Sequence, residues 1–401
     1  MSTDVSYPAL YLKRGEDARL RAGHLWVFSN EVDVQRSPLT QFEPGALCVI
    51  ADAFDKPVGV GYVNPNSLIA ARLINRGVGH AIDRSLFVHK FKIALSLRER
   101  IFAEPFYRLI FGESDGVPGL TVDRYGDVLV AQATTAGMER LKEDVADALV
   151  KVVKPSALVW KNDAGIRALE QLPEYADIGF GELKAPVLVR EGGLEFEIDP
   201  IGGQKTGWFY DQRSNRDQLA NYVAGKRVLD VFSYLGGWGL RAAVAGASEV
   251  FCVDVSAQAV ASIGRNAERN TLGDRVRAVK SDAFDYLKTL RDARERFDVV
   301  ILDPPAFVKR KKDFAEGRLA YRRINEMAMQ ILARDGILIT CSCSYHMPRA
   351  VLLDGIQQGA RHLDRYVQVL SQLQQAPDHP VHPAIPETDY LKGFICRVVP
   401  A

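Results

Sequence analysis

Arg227-Val228-Leu229-Asp230-Val231-Phe232-Ser233-Tyr234-Leu235-Gly236-Gly237-Trp238-Gly239-Leu240 reads as an apolar strand that runs into a glycine-rich turn and then a helix. Glycine at such a turn lets the backbone approach a ligand closely at the helix start. Working outward, a second run at 249–254 ends in Asp254, and a third at 278–284 carries Asp282 and Ala283. A fourth at 299–307 stops at Asp303-Pro304-Pro305, and a fifth at 337–344 stops at Ser342-Cys343-Ser344. Hydrophobic runs alternating with helical stretches are the pattern of a doubly wound parallel sheet, whose ligands sit outside the carboxyl ends of its strands. Asp230, Asp254, Asp282 and Asp303 therefore fall along one edge of one sheet, joined there by the Cys343 thiol. Each acid alone reads equally well as a helix cap or loop residue. The ordered series of four argues for a ligand site, with Asp254 placed to hold ribose hydroxyls.

Upstream of this α/β block the text changes character. As far as residue 76 it is strand-like and turn-rich, with Gly15, Gly23, Gly45, Gly59 and Gly61 punctuating runs such as 46–51 and 67–74, which suggests a small β-barrel. Residues 83–100 carry apolar side chains at helical spacing, and strands are expected at 108–111, 119–123 and 128–134. A helix over 139–153 and a strand over 157–160 complete a small α+β block. The expected division is thus 1–76, 77–190 and 191–401. Near the end, 377–380 reads as the lead-in to a last antiparallel strand over 391–398, and no catalytic part falls to His379.

The 401 residues, 47% hydrophobic and 25% charged, suffice for two or three domains with real cores and exclude a disordered or collagen-like chain. The opening residues carry no charged patch leading into an apolar core, and no window approaches about eighteen apolar residues, so a cytoplasmic protein without a membrane partner is expected. Cys48, Cys252, Cys341, Cys343 and Cys396 are odd in number and scattered, which suits reduced thiols. The Cys341 and Cys343 spacing is too short for an ordinary zinc site, and no metal is expected.

A net charge of +1 says little about partners, but the cations are not evenly spread. Lys309, Arg310, Lys311, Lys312, Arg318, Arg322 and Arg323 stand against Asp313 and Glu316 just after the Asp-Pro-Pro. A solvated helix face would look the same. The position beside the strand-end acids favours a polyanion, and nucleic acid is the natural one. Near the amino terminus Lys13, Arg14, Arg19, Arg21 and Trp26 offer a basic face with an aromatic platform, although Trp26 reads equally as core.

The glycine turn, the acid ending the second strand, the Ser281-Asp282-Ala283 and the Asp-Pro-Pro resemble motifs of class I S-adenosylmethionine-dependent methyltransferases. More narrowly the chain resembles the large-subunit ribosomal RNA cytosine-5 methyltransferase family RlmI over nearly its full length. Gly112-Glu113-Ser114-Asp115-Gly116-Val117-Pro118-Gly119-Leu120 resembles that family's central signature, and Gln204-Lys205-Thr206-Gly207-Trp208-Phe209-Tyr210-Asp211-Gln212-Arg213 its entry into the catalytic domain. The resemblance implies a PUA RNA-binding domain, a Rossmann-like catalytic sheet, S-adenosylmethionine as cofactor and ribosomal RNA as partner. It implies Phe232, Ser233 and Gly236 near the methionine moiety, Asp254 at the ribose, Asp282 and Ala283 at the adenine, and Asp303 bordering the cofactor. It selects Cys343 rather than Cys341 as nucleophile, with Asp303 beside it; from the charge clusters above, Lys309, Arg310, Lys311, Lys312, Arg322, Trp26 and Arg14 are the expected RNA contacts.

The implied chemistry has a physical rationale. Carbon 5 of cytosine is a poor nucleophile until a thiolate adds at carbon 6. Asp303 would then steady the adduct at ring nitrogen 3 and the amino group. Ala306 stands where some RNA cytosine methyltransferases carry a second cysteine, so a single-cysteine mechanism is implied. A guanine-directed methyltransferase or a non-catalytic RNA-binding assembly factor would share much of this pattern without needing the thiol. The sequence does not fix the oligomeric state, a homodimer being one option.

Overall fold

In the computed structural model, which describes residues 7–401, the turn-rich first stretch forms a five-stranded sheet. The opening residues 1–6, part of the stretch read above for a leader, lie outside the described residues. The strands are β1 (Ala9–Tyr11), β2 (Trp26–Phe28), β3 (Ala46–Ala51), β4 (Pro57–Val63) and β5 (Ile69–Asn75), ordered β1-β3-β4-β5-β2. Strand β4 lies where glycines 59 and 61 suggest punctuation. A Cβ at Gly61 would strike the carbonyl oxygen of Arg72, so glycine here serves close strand pairing with β5.

The middle stretch follows with helix α1 (Arg84–Ile101) and strands β6 (Phe106–Phe111), β7 (Leu120–Tyr125) and β8 (Val128–Ala133). Asp83 caps α1 by accepting from the Leu86 N–H at 3.1 Å. The single helix expected over 139–153 is two, α2 (Ala136–Arg140) and α3 (Lys142–Val153), and Thr135 caps the first by accepting from the Met138 N–H. Strands β9 (Ala157–Asn162) and β10 (Tyr175–Gly181) complete a sheet ordered β10-β9-β8-β7-β6. Phe87 and Phe91 of α1 are fully buried in one core with Val60 and Tyr62 of β4 and with Leu109, Val122, Leu129 and Leu158. These two sheets, with 198–208 and 377–388, form one compact unit. The segment read as lead-in to the last strand thus folds here: Asp378 accepts from the Arg108 N–H at 3.0 Å, and its carbonyl accepts from buried Arg98 at 2.9 Å.

A hairpin, β11 (Val187–Glu191) and β12 (Leu194–Ile198), precedes the α/β block. That block comprises β13 (Arg227–Val231), α4 (Gly237–Val244), β14 (Glu249–Asp254), α5 (Ala257–Arg269), β15 (Val276–Lys280), α6 (Ala283–Asp292) and β16 (Phe297–Leu302). It continues with α7 (Phe314–Ile331), β17 (Leu332–Ser342), α8 (Arg349–His362), β18 (Arg365–Gln374) and β19 (Lys392–Pro400). Residues 190–197, 209–376 and 389–401 make the second compact unit. Its seven-stranded sheet runs β15-β14-β13-β16-β17-β19-β18. Strands β13 to β17 are parallel, and β19 enters antiparallel between β17 and β18. Leu229, Val300, Leu302 and Leu338 bury one face of the sheet against Ile324 and Met329 of α7 and Leu352 and Ile356 of α8. Burying each such side chain stabilises by roughly 1.5–3 kcal/mol. Strand order reverses between β13 and β16, the switch point at which such sheets bind ligands.

Candidate functional site

The turn after β13 is strained where it faces that switch point. Phe232 and Tyr234, both non-glycine, hold φ of 67° and 52°, and Gly236 follows at 84°. Left-handed backbone at such residues persists only when its surroundings enforce it, and it gathers at binding sites. Here Asp254, at the end of β14, accepts from the Tyr234 N–H and the Ser256 N–H, both at 2.9 Å. The Ser233 N–H donates to Val253 O at 3.0 Å, and the Ser233 hydroxyl to Asp230 O at 2.7 Å. Asp230 is wholly buried, with Oδ2 accepting from the Gly239 N–H at 3.0 Å, and burial lifts it to about 7. Gly239 lets α4 lie against β14, because a Cβ there would strike the sulfur of Cys252. Asp282 caps α6 by accepting from the Phe284 and Asp285 N–H groups, while Ala283 turns into the core. A strained turn at the start of α4, with the partly exposed Asp254 carboxylate beside it, fits the nucleoside and amino-acid ends of a cofactor.

On the other side of the switch point, Asp303 follows the last residue of β16. Its Oδ1 accepts from Gln212 Nε2 at 2.8 Å and its Oδ2 from the Trp238 indole at 3.0 Å. Burial, reinforced by nearby Asp211, lifts Asp303 to about 6 against the opposing pull of Trp238, Arg216 and Gln212. Cys343 lies one residue past the end of β17, partly exposed, its Sγ 3.9 Å from the carbonyl oxygen of Pro304. Cys341 lies inside the strand, wholly buried, with Sγ 4.0 Å from Gln212 Oε1, and burial holds its thiol well above the usual range. The two cysteines thus occupy different settings. One borders the Asp-Pro-Pro turn, and the other packs behind the glutamine that holds Asp303.

Gln212 and Trp238 escaped the sequence reading as site residues, although both stand inside stretches quoted for it. Gln212 is fixed from behind, its Oε1 accepting from Asn215 Nδ2 at 2.7 Å. The surrounding segment is anchored by Arg216, which pairs with Glu191 at 2.6 and 2.8 Å and donates to Phe209 O. Asp211 accepts from the Tyr390 hydroxyl at 2.6 Å. For Gln212 the available signal was the run of charged residues Asp211, Arg213 and Arg216 around it, while Trp238 had none beyond its place in the glycine-rich turn.

Lys309, Arg310, Lys311 and Lys312 are exposed on the turn leading into α7, Arg310 pairing with Asp313 at 3.1 Å. Arg322 is half-buried and donates to Gln358 at 3.3 Å. In the first unit, Trp26 donates to Glu113 at 2.9 Å, and exposed Arg14 lies 5.8 Å from the Phe54 ring centre. Arg19 and Arg21 of that expected basic face are engaged by Glu31, Asp17 and Asp52. No helix among the described residues is long and apolar enough to cross a membrane.

Residues 177–392 match the family described as S-adenosylmethionine-dependent methyltransferase, and residues 10–76 match the PUA-like domain. The chain is similar to Ribosomal RNA large subunit methyltransferase I of Aliivibrio fischeri strain ES114, with 38% identity covering 98% of this chain and 99% of the relative. It is 38% identical to the protein of that name from Vibrio cholerae O1, covering 98% of this chain and all of the relative. The Klebsiella pneumoniae counterpart is 36% identical over 99% of this chain and 100% of its own length. Among solved structures, that of SMU.776 complexed with SAH superposes with a TM-score of 0.83 at 22% identity, covering 97% of this chain and 100% of the other, a likeness of fold.

Proposed function

The chain belongs to the ribosomal RNA large subunit methyltransferase I family of S-adenosylmethionine-dependent methyltransferases, and from that premise we propose that it methylates carbon 5 of a cytosine in large-subunit ribosomal RNA through a covalent Cys343 adduct. The observation that carries the reading is the Cys343 sulfur 3.9 Å from Pro304 O, on the turn that begins with the doubly held Asp303. The Cys343 thiolate forms a bond to carbon 6, and the displaced electron pair enriches carbon 5 and nitrogen 3. Asp303, with proton affinity raised to about 6, shares a proton with nitrogen 3 as charge gathers there. Gln212 and Trp238 keep that carboxyl aimed. S-adenosylmethionine, when bound, supplies an electrophilic methyl group. Loss of the carbon-5 proton to a base then lets the sulfur–carbon 6 bond break and return the thiolate.

Phe232, Ser233 and Gly236 in the strained turn would hold the methionine end, Asp254 the ribose, Asp282 and Ala283 the adenine, with Asp303 at the border between cofactor and base. Lys309, Arg310, Lys311, Lys312, Arg322, Trp26 and Arg14 supply RNA contacts under this reading. The division into 1–76, 77–190 and 191–401 and a cytoplasmic location belong to the same proposal. RNA carrying 5-fluorocytidine tests it, because fluorine at carbon 5 cannot leave as a proton does and the adduct persists. A denaturation-resistant protein–RNA complex is expected, and Cys343→Ala should lose it. Bisulfite sequencing of ribosomal RNA from cells with and without the gene should reveal one lost cytosine mark; methyl transfer to guanine with no trapped complex would refute the assignment.

A further inference from the structure

Lys392 opens β19 directly across from Ser342 of β17. Its side chain is buried, with 6% of the residue exposed, and Nζ donates to the carbonyl of Ser344 at 2.7 Å. That carbonyl is the one hydrogen-bond partner of Nζ among the described residues, and no carboxylate reaches ion-pair distance; Asp389 acts on it only from farther away. A buried ammonium without an anion is costly, and such charges are paired. Cys343 is the residue before Ser344, on the turn whose carbonyl Lys392 holds, and a charge on its sulfur raises the ammonium's proton affinity. The same field must act in reverse on the sulfur.

We propose that Lys392 is a positioning residue that holds the Cys343 sulfur as a thiolate and fixes the turn presenting it, so that the nucleophile is charged before RNA arrives. This rests on the reading of Cys343 as the nucleophile. The turn is pinned on its other side too: the Ser344 hydroxyl accepts from the Val308 N–H at 3.1 Å and bonds the Tyr321 hydroxyl at 2.9 Å. The titratable and charged groups near the sulfur include Lys392, Tyr321, Cys341 on the same strand, and Asp303 beside the Pro304 carbonyl. Those facing Lys392 are Asp389, Arg349 and Cys343. Tyr321 and Cys341 are held neutral by burial, a charged Asp303 would oppose a thiolate, and Lys392, the cation of this set, favours one. Burial brings Lys392 itself down to about 8, so its charge persists at neutral pH and fades above.

The test is the pH profile of iodoacetamide alkylation at Cys343, followed by peptide mass spectrometry on the full-length protein. In the wild type the midpoint should lie below the ordinary thiol value of about 8.5. Lys392→Met should raise it by about one unit, slowing alkylation near neutrality about tenfold, whereas Lys392→Arg, which keeps a charge, should leave it low. A wild-type midpoint at or above the ordinary value overturns the proposal, and that measurement needs no variant to fold. An unchanged midpoint in Lys392→Met, or an Arg variant that behaves like Met, overturns it as well. A trapped 5-fluorocytidine adduct with an ordinary midpoint would sink the part given to Lys392 alone, and a low midpoint without any adduct would sink the nucleophile reading alone.

Discussion

In the proposed reaction Cys343 and Asp303 act through their surroundings, and each surrounding can be taken apart. Cys343→Ala is expected to abolish turnover while S-adenosylmethionine binding, measured by calorimetry, stays within about 1 kcal/mol, since covalent attack contributes little to ground-state binding. Retained activity would transfer the part to Cys341. Asp230 offers a pH test of burial. Its carboxyl titrates near about 7 in the folded chain and near about 3.9 unfolded, so between those values the folded state binds more protons and stability falls as pH rises. Asp230→Asn should remove about 2–3 kcal/mol of the loss between about pH 5 and pH 8, read from urea denaturation at both. His24, which burial lowers to about 4, works in the opposite direction in the same window, so the comparison with the variant decides: an equal pH dependence in wild type and Asp230→Asn would refute the buried carboxylate. Cys343 and Asp303 were legible because each ends an apolar run, and position along a parallel strand fixes the sheet edge. Gln212 and Trp238 were not, because hydrogen bonds spanning 91 and 65 residues leave no periodic trace.

Elements followed their local signals where one physical cause dominated. The parallel runs after 225 and the capped helix at Arg84–Ile101 lie within a few residues of the expected spans. Strand β4 did not, because glycine serves close backbone approach there as readily as it serves a turn, and sequence cannot tell the two apart. The 139–153 helix breaks at Leu141, whose backbone leaves helical geometry at φ −93° and ψ 9°. Gly239 tests the close-approach argument within α4. Alanine gains about 1 kcal/mol of helix propensity, yet its Cβ would strike Cys252 and come within 3.2 Å of Asp230 Oδ2. The clash should win, with Gly239→Ala destabilising by about 1–3 kcal/mol in urea denaturation. A stabilised variant would mean that α4 can shift without cost.

At the scale of the whole molecule, charge and connectivity matter more than single contacts. Lys309, Lys311 and Lys312 are exposed and in no ion pair among the described residues, which suits contact with phosphates. Replacing all three with alanine should weaken RNA binding alike for all sequences and reduce the slope of log affinity against log salt by about 2. Filter binding across a salt series reads this directly, and an unchanged slope would return these lysines to plain solvated surface. Connectivity was the least legible feature: nothing in 377–388 announces that it belongs with the first unit, because its signal is a buried Asp378 whose partners Arg98 and Arg108 lie far upstream. Arg98 donates to a carbonyl 280 residues later in the chain. Its other acceptors, Arg108 O and the Asp115 carboxylate, lie close in sequence, but at a synthesis rate of about 5–20 residues per second the guanidinium must wait on the order of half a minute for this last one to be made. The amino-terminal unit therefore cannot finish folding on the ribosome before nearly all of the chain has been translated, and a nascent chain stalled short of residue 378 should remain protease-sensitive around Arg98.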